Sequence, residues 1–97
     1  MNKKRLTTSQ RETREREALT RRVTDIYIGA TGQDPTNEEE FFLDIESAER
    51  LIYALKIAFM EGDDSTGNQW LFREYNIGNF AQVSKAVDFL YRNGVRA

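Results

Sequence analysis

The sequence predicts a mainly α-helical protein, a small single-domain bundle from which a basic N-terminal helix protrudes. Three observations favour this fold class. Apolar residues recur at helical spacing in three stretches, helix-capping residues precede those stretches, and the only proline, Pro35, lies between the first two. A chain of 97 residues has the usual size of one domain. We therefore expect a flexible basic N-terminus over 1–8 and a single globular domain over 9–97.

The first helix is predicted to begin at Ser9, because Glu12 follows three residues later, as in a capping box. An apolar stripe at helical spacing starts only in its second half. The stripe consists of Leu19, Val23, Ile26, Tyr27 and Ala30. The first turns should therefore be exposed to solvent and the last turns packed. Gly32 and the Asp34-Pro35 pair predict the end of this helix.

The second stretch has the most regular helical period in the chain. Apolar residues alternate at spacings of four and three through Phe41, Ile45, Ala48, Ile52, Leu55 and Phe59. Asn37, followed by Glu40, repeats the capping pattern before it. A continuous helix over 37–61 would be about 37 Å long, which exceeds the roughly 32 Å diameter expected for a domain of this size. We therefore predict a break between Asp44 and Ser47.

The third stretch predicts a C-terminal helix that Asn79 and Gln82 open and Asn93-Gly94 ends. A polar connector over 62–68 separates it from the second stretch. The connector carries oxygen-bearing side chains, but Gly67 stands where a calcium-binding loop needs a ligand. It is therefore interpreted as a turn-rich linker rather than as a metal site.

Three segments leave a second fold open. Residues 23–28 are rich in β-branched side chains, 40–45 contain consecutive apolar residues, and 69–76 fit neither period. In an α+β alternative they would form a small antiparallel sheet under helices at 47–61 and 79–93. Both folds share one predicted core, namely Val23, Ile26, Phe41, Ile45, Leu51, Ile52, Leu55, Phe59, Trp70, Leu71, Phe80, Val83, Val87 and Leu90.

The composition excludes most catalytic chemistry. The chain has no cysteine and no histidine, which removes disulfides, Cys/His metal and haem sites, thiolate nucleophiles and Ser-His pairs. The remaining carboxylates, lysines, arginines and tyrosines show no spacing that forms a catalytic site. We therefore predict a protein that is not an enzyme and that uses no metal and no cofactor.

Charge is strongly segregated along the chain. The formal net charge of −2 is the balance of +5 over 1–24, −9 over 25–64 and +2 over 65–97. Such asymmetry is typical of an interaction surface, because each patch creates its own potential. Packing of the basic segment across the acidic one would explain the same asymmetry without a partner.

The acidic segment supplies the predicted partner-binding face, formed by Glu38, Glu39, Asp44, Glu46 and Glu49. On a helix these side chains spread around the polar face, which argues against a catalytic carboxylate pair. One interpretation is that the face imitates phosphate charge and occupies the basic groove of a nucleic-acid-binding protein or an enzyme. The alternative is an ordinary solvated face near a helix N-terminus.

The run Val83-Ser84-x-x-Val87-x-x-Leu90-x-x-x-Gly94-Val95 resembles the second helix and exit turn of a helix-turn-helix or winged-helix unit. This resemblance covers about 25 residues. It implies a short helix over 71–77 that packs across the C-terminal helix. Its implied major-groove residues are Asn79, Gln82, Lys85 and Arg92. In the same hypothesis the N-terminal arm contacts phosphates through Arg11, Arg14, Arg21 and Arg22.

Two functions follow as hypotheses. The first is a small non-enzymatic binding protein, an adaptor or inhibitor that docks charged and aromatic surface on a macromolecular partner. The second is a helix-turn-helix-like DNA-binding regulator that uses residues 71–93 and the basic N-terminal arm. No stretch is apolar enough to span a membrane, and residues 1–5 do not resemble a secretory signal. We expect a cytoplasmic protein without a membrane partner, and a homo-oligomer is consistent with the regular apolar seam.

Overall fold

A computed structural model describes residues 7–37, 39–60 and 69–97. It contains three α-helices, α1 (Thr8–Thr31), α2 (Ile45–Met60) and α3 (Val83–Arg92), with two 3₁₀-helices, Gln69–Phe72 and Glu74–Phe80, before α3. The predicted mainly α-helical class is confirmed. The α+β alternative is not supported, because the described residues contain no strand: 23–28 lie within α1, 40–45 are a turn and an extended segment that lead into α2, and 69–76 are mostly 3₁₀-helical.

A capping box opens α1 two residues earlier than predicted. The Thr7 hydroxyl accepts a hydrogen bond from the Gln10 amide at 3.1 Å, and the Gln10 side-chain oxygen accepts one from the Thr7 amide at 3.0 Å. Ser9 therefore lies inside the first turn, and the prediction that it caps the helix is wrong. Thr7 with Gln10 has the same spacing as Ser9 with Glu12, so the pattern alone does not select between them.

The predicted end of α1 is confirmed. Gly32 has φ of 73°, in the left-handed region that favours glycine, and its amide donates to the Ile28 carbonyl at 2.9 Å. The Asp34 carboxylate then accepts hydrogen bonds from the Thr36 amide and hydroxyl at 2.9 and 2.6 Å. These bonds lower the pKa of Asp34 and close a turn around the buried Pro35. The chain thus reverses, and α2 returns beside α1.

An interruption before α2 is present as predicted, but it lies at 41–44, ahead of most of the predicted Asp44–Ser47 position, and the predicted helix start near Asn37 is wrong. Asn37 caps a single turn, in which its carbonyl accepts from the Phe41 amide at 2.9 Å. After the extended residues 41–44, α2 begins at Ile45, and the Asp44 carboxylate accepts from the Ser47 amide at 2.7 Å. Asp44 is therefore the effective N-cap, and the apolar period that begins at Phe41 does not run through one continuous helix.

The end of α3 is a Schellman motif. The Val95 amide donates to the Leu90 carbonyl at 3.0 Å and the Gly94 amide to the Tyr91 carbonyl at 3.1 Å. Gly94 has φ of 89°, so this position favours glycine. Val95 is buried after the turn. The predicted stop at Asn93-Gly94 is confirmed, whereas the helix begins only at Val83, so Asn79 lies in the second 3₁₀-helix.

One apolar core joins the helices. Twelve of the fourteen predicted core residues lie in it or against it, while Ile45 and Trp70 are exposed. Ile45 occupies the first turn of α2, where its side chain is 76% exposed. The ring of Trp70 packs edge-on against Phe89 and leaves its other side to solvent. The buried hydrophobic residues of the core that lie outside the predicted list are Leu19, Tyr27, Ala48, Phe72, Ala86 and Val95.

Candidate partner-binding surface

The helices α1 and α2 run antiparallel and leave an open cleft between them. The Arg22 guanidinium donates to the Ala58 carbonyl at 2.7 Å. Nearer the other end, the Gln33 side-chain amide donates to the Phe42 carbonyl at 2.8 Å and accepts from the Phe42 amide at 3.0 Å. Between these contacts lies the α1/α2 cleft, about 440 Å³ in volume, lined by Ile26, Gly29, Ala30, Arg50, Tyr53 and Ala54.

One side of α2 exposes large apolar side chains to solvent. We define the α2 outer face as Ile45, Glu46, Glu49, Tyr53 and Ile57, all exposed and, at about 3.6 residues per turn, within roughly a third of the helix circumference. Tyr53 is 66% exposed and Ile57 is 43% exposed. Phe42, in the extended segment just before α2, is 69% exposed. Such clustering of apolar groups among carboxylates is typical of an interaction surface.

The structure places the predicted acidic residues in different roles. Glu39 is exposed, and Asp44 caps α2 and has a pKa lowered by its bonds to Ser47. On the α2 outer face, Glu46 forms an ion pair with Arg50 at 3.4 Å. Glu49 is exposed and has no ion-pair partner among the residues that the structure describes. The fifth predicted residue, Glu38, lies outside the described residues.

Three predicted arginines share an exposed side of α1. We define the α1 basic stripe as Arg11, Arg14 and Arg21, which lie within about a quarter of the helix circumference. Within the described part of the chain none of them has an ion-pair partner. The predicted pair of Glu12 with Arg16 forms at 3.4 Å. Arg22, the fourth predicted arginine, instead contacts α2, with its guanidinium 4.6 Å from the centre of the Phe59 ring.

A polar cluster that the sequence analysis missed fixes the first half of α1 to α3. Arg16 forms an ion pair with Asp88 at 3.2 Å, and Glu15 accepts a hydrogen bond from the Tyr91 hydroxyl at 2.8 Å. The guanidiniums of Arg16 and Arg96 lie 4.4 and 3.7 Å from the centre of the Tyr91 ring. Partial burial and the bond to Glu15 raise the pKa of Tyr91. The α1 members, Glu15 and Arg16, are more than seventy residues from Asp88 and Tyr91 in sequence, so no local pattern indicates these contacts.

The cluster also determines which side of the basic arm stays open. Glu15 pairs with Arg96 and Glu12 pairs with Arg16, so both carboxylates have partners outside the α1 basic stripe. Among the described ion pairs none joins residues 7–24 to residues 25–60. In that part of the chain the long-range ion pairs of the basic segment thus run to α3 and the residues just after it, whereas its polar contact with α2 is made by Arg22 through the Ala58 carbonyl and the Phe59 ring.

The residues implied by the helix-turn-helix resemblance do not form one exposed group. The Asn79 side chain is partly buried and donates to the Asn76 side chain at 3.2 Å. Gln82 precedes α3 and makes no side-chain capping bond. Arg92 forms an ion pair with Asp88 at 3.0 Å, while Lys85 is exposed. The segment before α3, where the resemblance implies one short helix over 71–77, consists of two 3₁₀-helices.

Tyr27 is a fully buried titratable residue, and its surroundings assign it a structural role. Its hydroxyl donates to the Phe80 carbonyl at 2.7 Å, and burial raises its pKa.

Over residues 7–37, 39–60 and 69–97, no cluster of carboxylates suits a metal ion, and no helix has the length and apolar character needed to cross a membrane. Comparisons with family models, with curated proteins and with solved structures found no match.

Proposed function

We propose that this chain is a non-enzymatic binding protein, an adaptor or inhibitor that docks the α2 outer face on a macromolecular partner. The observation that carries the proposal is the exposure of Ile45, Tyr53 and Ile57 on one side of a helix whose opposite side is buried. Exposed isolated apolar residues are ordinary, but three large ones on one face, with an open cleft beside them, favour a binding surface.

Tyr53 is the proposed anchor of this surface. Tyrosine is enriched among residues that dominate binding energy, because it buries a large apolar ring and retains a hydroxyl for hydrogen bonding. Its ring stands beside Ala54 at the margin of the α1/α2 cleft. A side chain from the partner that enters this cleft would contact Tyr53 on one side and Ile26 on the other.

The negative charge near the start of α2 indicates which kind of partner the surface binds. Residues 39–50 carry the carboxylates of Glu39, Glu40, Asp44, Glu46 and Glu49, with Arg50 as their single base. A negative surface of this kind accelerates encounter with a positive one and excludes acidic partners. The proposed partner is therefore a protein with a basic groove, such as a nucleic-acid-binding protein or an enzyme that acts on a phosphate-containing substrate.

Affinity capture with matched variants tests the proposal. The tagged chain is used to capture proteins from a lysate of its source, with and without nuclease, alongside Tyr53→Ser, the double variant Glu46→Lys with Glu49→Lys, and Lys85→Glu as the control. The proposal predicts that one partner is captured even after nuclease treatment. Both α2 variants should fail to capture it, and Lys85→Glu should still capture it. Equal capture by all forms would contradict it, as would turnover of a small molecule that a single carboxylate substitution abolishes.

A second candidate is DNA binding through residues 71–93 and the basic N-terminal arm, and the α1 basic stripe is the observation that favours it. The arginines of this stripe are exposed and lie within about 15 Å along α1, a length that spans several phosphates of a duplex. This hypothesis predicts that duplex binding falls steeply as salt rises and is weakened both by Lys85→Glu and by Arg14→Glu. Binding that is absent at low salt, or unchanged by Lys85→Glu, would count against it.

A further inference from the structure

The side of the molecule formed by α1 and α2 carries three zones in a fixed order. The α1 basic stripe lies at one end, and its Arg11, Arg14 and Arg21 point away from α3. The α1/α2 cleft, in which Arg50 is the one charged lining residue, and Ile57 form a mainly apolar middle zone. The acidic end of α2, with Glu46 and Glu49, lies at the other end.

The antiparallel contacts fix this order. Arg22 of α1 is opposite Ala58 of α2, and Gln33 is opposite Phe42. The N-terminal half of α1 therefore extends past the C-terminal end of α2, whereas the N-terminal end of α2 lies near the C-terminal end of α1. The basic and acidic zones are thus separated along α1, by about 20–30 Å at 1.5 Å per residue, with the apolar zone between them.

From this order we infer that the occupant of the α1/α2 side is a second copy of the same chain, placed antiparallel about a twofold axis through the apolar zone. A twofold axis brings the same patch of both copies together. It places the basic zone of each copy against the acidic zone of its partner, so both charge contacts form at once. The apolar zones, including Tyr53 and Ile57, meet at the centre and become buried.

The order of the zones favours an antiparallel pair of copies over a parallel pair. If the two copies were parallel, like charges would face each other at both ends, which is unfavourable. In the antiparallel arrangement the carboxylate of Glu49 and the guanidiniums of the basic stripe gain opposite charges that they lack among residues 7–37, 39–60 and 69–97 of their own chain. The inference deepens the proposed function, because it names an occupant of the same α2 outer face with which any other partner must compete.

Charge exchange between two variants tests the inference. Variant A carries Glu46→Arg and Glu49→Arg, and variant B carries Arg11→Glu and Arg14→Glu. Sedimentation velocity over a concentration series measures the molar mass of the wild type, of A, of B and of their equimolar mixture. All substituted side chains are exposed, and far-ultraviolet circular dichroism verifies that each variant keeps its helical content.

The expected result is a wild-type dimer, with a dissociation constant raised about tenfold or more in A and in B, since each places like charges at both contacts. In the mixture every contact again pairs opposite charges, so a heterodimer should form with an affinity near that of the wild type. A monomeric wild type, or a mixture that associates no better than A or B alone, would overturn the inference. If the wild type is monomeric and the Glu46→Lys, Glu49→Lys variant loses its partner in the lysate capture, the proposed function stands and this inference is refuted.

Discussion

At the scale of single residues, Tyr27 connects the elements of the core. Its ring is fully buried and lies 5.8 Å from that of Phe41, while its hydroxyl reaches the carbonyl of Phe80 at the end of the second 3₁₀-helix. A buried carbonyl that loses its donor retains its desolvation cost. The single hydroxyl therefore links α1 to the segment that leads into α3.

Removal of that hydroxyl gives the first prediction. Tyr27→Phe should lower the free energy of unfolding by about 1–2 kcal/mol, because the Phe80 carbonyl would be left buried without a partner. Urea denaturation followed by circular dichroism measures this change. Tyr53→Phe is the matched control, and its effect should stay within about 0.5 kcal/mol since Tyr53 is exposed. If Tyr27→Phe changed the free energy of unfolding as little as Tyr53→Phe, the Tyr27 hydroxyl would not stabilise the fold.

Asp44 is the residue on which the start of α2 depends. Its carboxylate accepts from the Ser47 amide at 2.7 Å, and the bonds from Ser47 lower its pKa. A carboxyl whose pKa is lower in the folded state stabilises the fold above its unfolded pKa and loses that contribution as the pH falls through the folded pKa. The cap should therefore be strongest near neutral pH and weak in acid.

The second prediction uses this pH dependence. Asp44→Ala should melt at a lower temperature than the wild type at neutral pH, and the gap should shrink once the pH falls below the unfolded pKa of about 3.9. Thermal melts at several pH values measure the gap. Asp44→Asn is the control, because its amide oxygen still caps the helix without titrating. A gap between wild type and Asp44→Ala that stays constant down to the lowest pH would refute this role.

At the scale of elements, Gly94 and Gly29 form a matched pair, because Gly94 has a positive φ and Gly29 lies within a helix. Gly94 closes α3 with φ of 89°, whereas Gly29 lies inside α1 and a Cβ built on it meets no atom within 4 Å. Alanine is strained in the first position and favourable in the second. The two substitutions should therefore change stability in opposite directions.

The third prediction gives the expected change in the free energy of unfolding for each substitution. Gly94→Ala should lower the free energy of unfolding by about 1 kcal/mol or more, and Gly29→Ala should raise it by roughly 0.5–1 kcal/mol. Both are measured by chemical denaturation of the single variants. If Gly94→Ala were neutral, the Schellman motif would not be what terminates α3.

Local signals in the sequence were sufficient for the helices and for most of the core. The stripe through Leu19, Val23 and Tyr27, the ending at Gly32 and the break before α2 all follow from residues within one or two turns of each other. The first cap, the start of α2 and the burial of Ile45 were predicted wrongly. In each case two equivalent local patterns compete, or burial depends on whether a distant segment covers the position.

The surface was less predictable than the fold. The acidic residues were identified from charge alone, but the exposed apolar members of the α2 outer face were assigned to the core or left unassigned, as with Ile45. The cluster of Glu15, Arg16 and Asp88 joins residues far apart in sequence. Only a folded chain shows that this cluster holds the basic arm against α3 and leaves its arginine stripe on the outside.

At the scale of the whole molecule, the nearly neutral net charge conceals an ordered surface. The α1 basic stripe, the apolar cleft and the acidic end of α2 lie in sequence along one side, and the ion pairs with α3 occupy another. A binding function is proposed because these exposed groups form a surface, while the buried polar groups, such as the Tyr27 hydroxyl, serve the fold.

The most direct test of the proposed α2 surface is site-specific photo-crosslinking in lysate from the source. A photoreactive phenylalanine analogue replaces Tyr53 in one sample and Ser84, an exposed residue of α3, in the other. We expect a covalent adduct with a discrete protein partner, or with a second copy of the chain, from position 53 and none from position 84. Adducts from position 84 alone, or equal adducts from both, would contradict the claim that the α2 outer face is the binding surface.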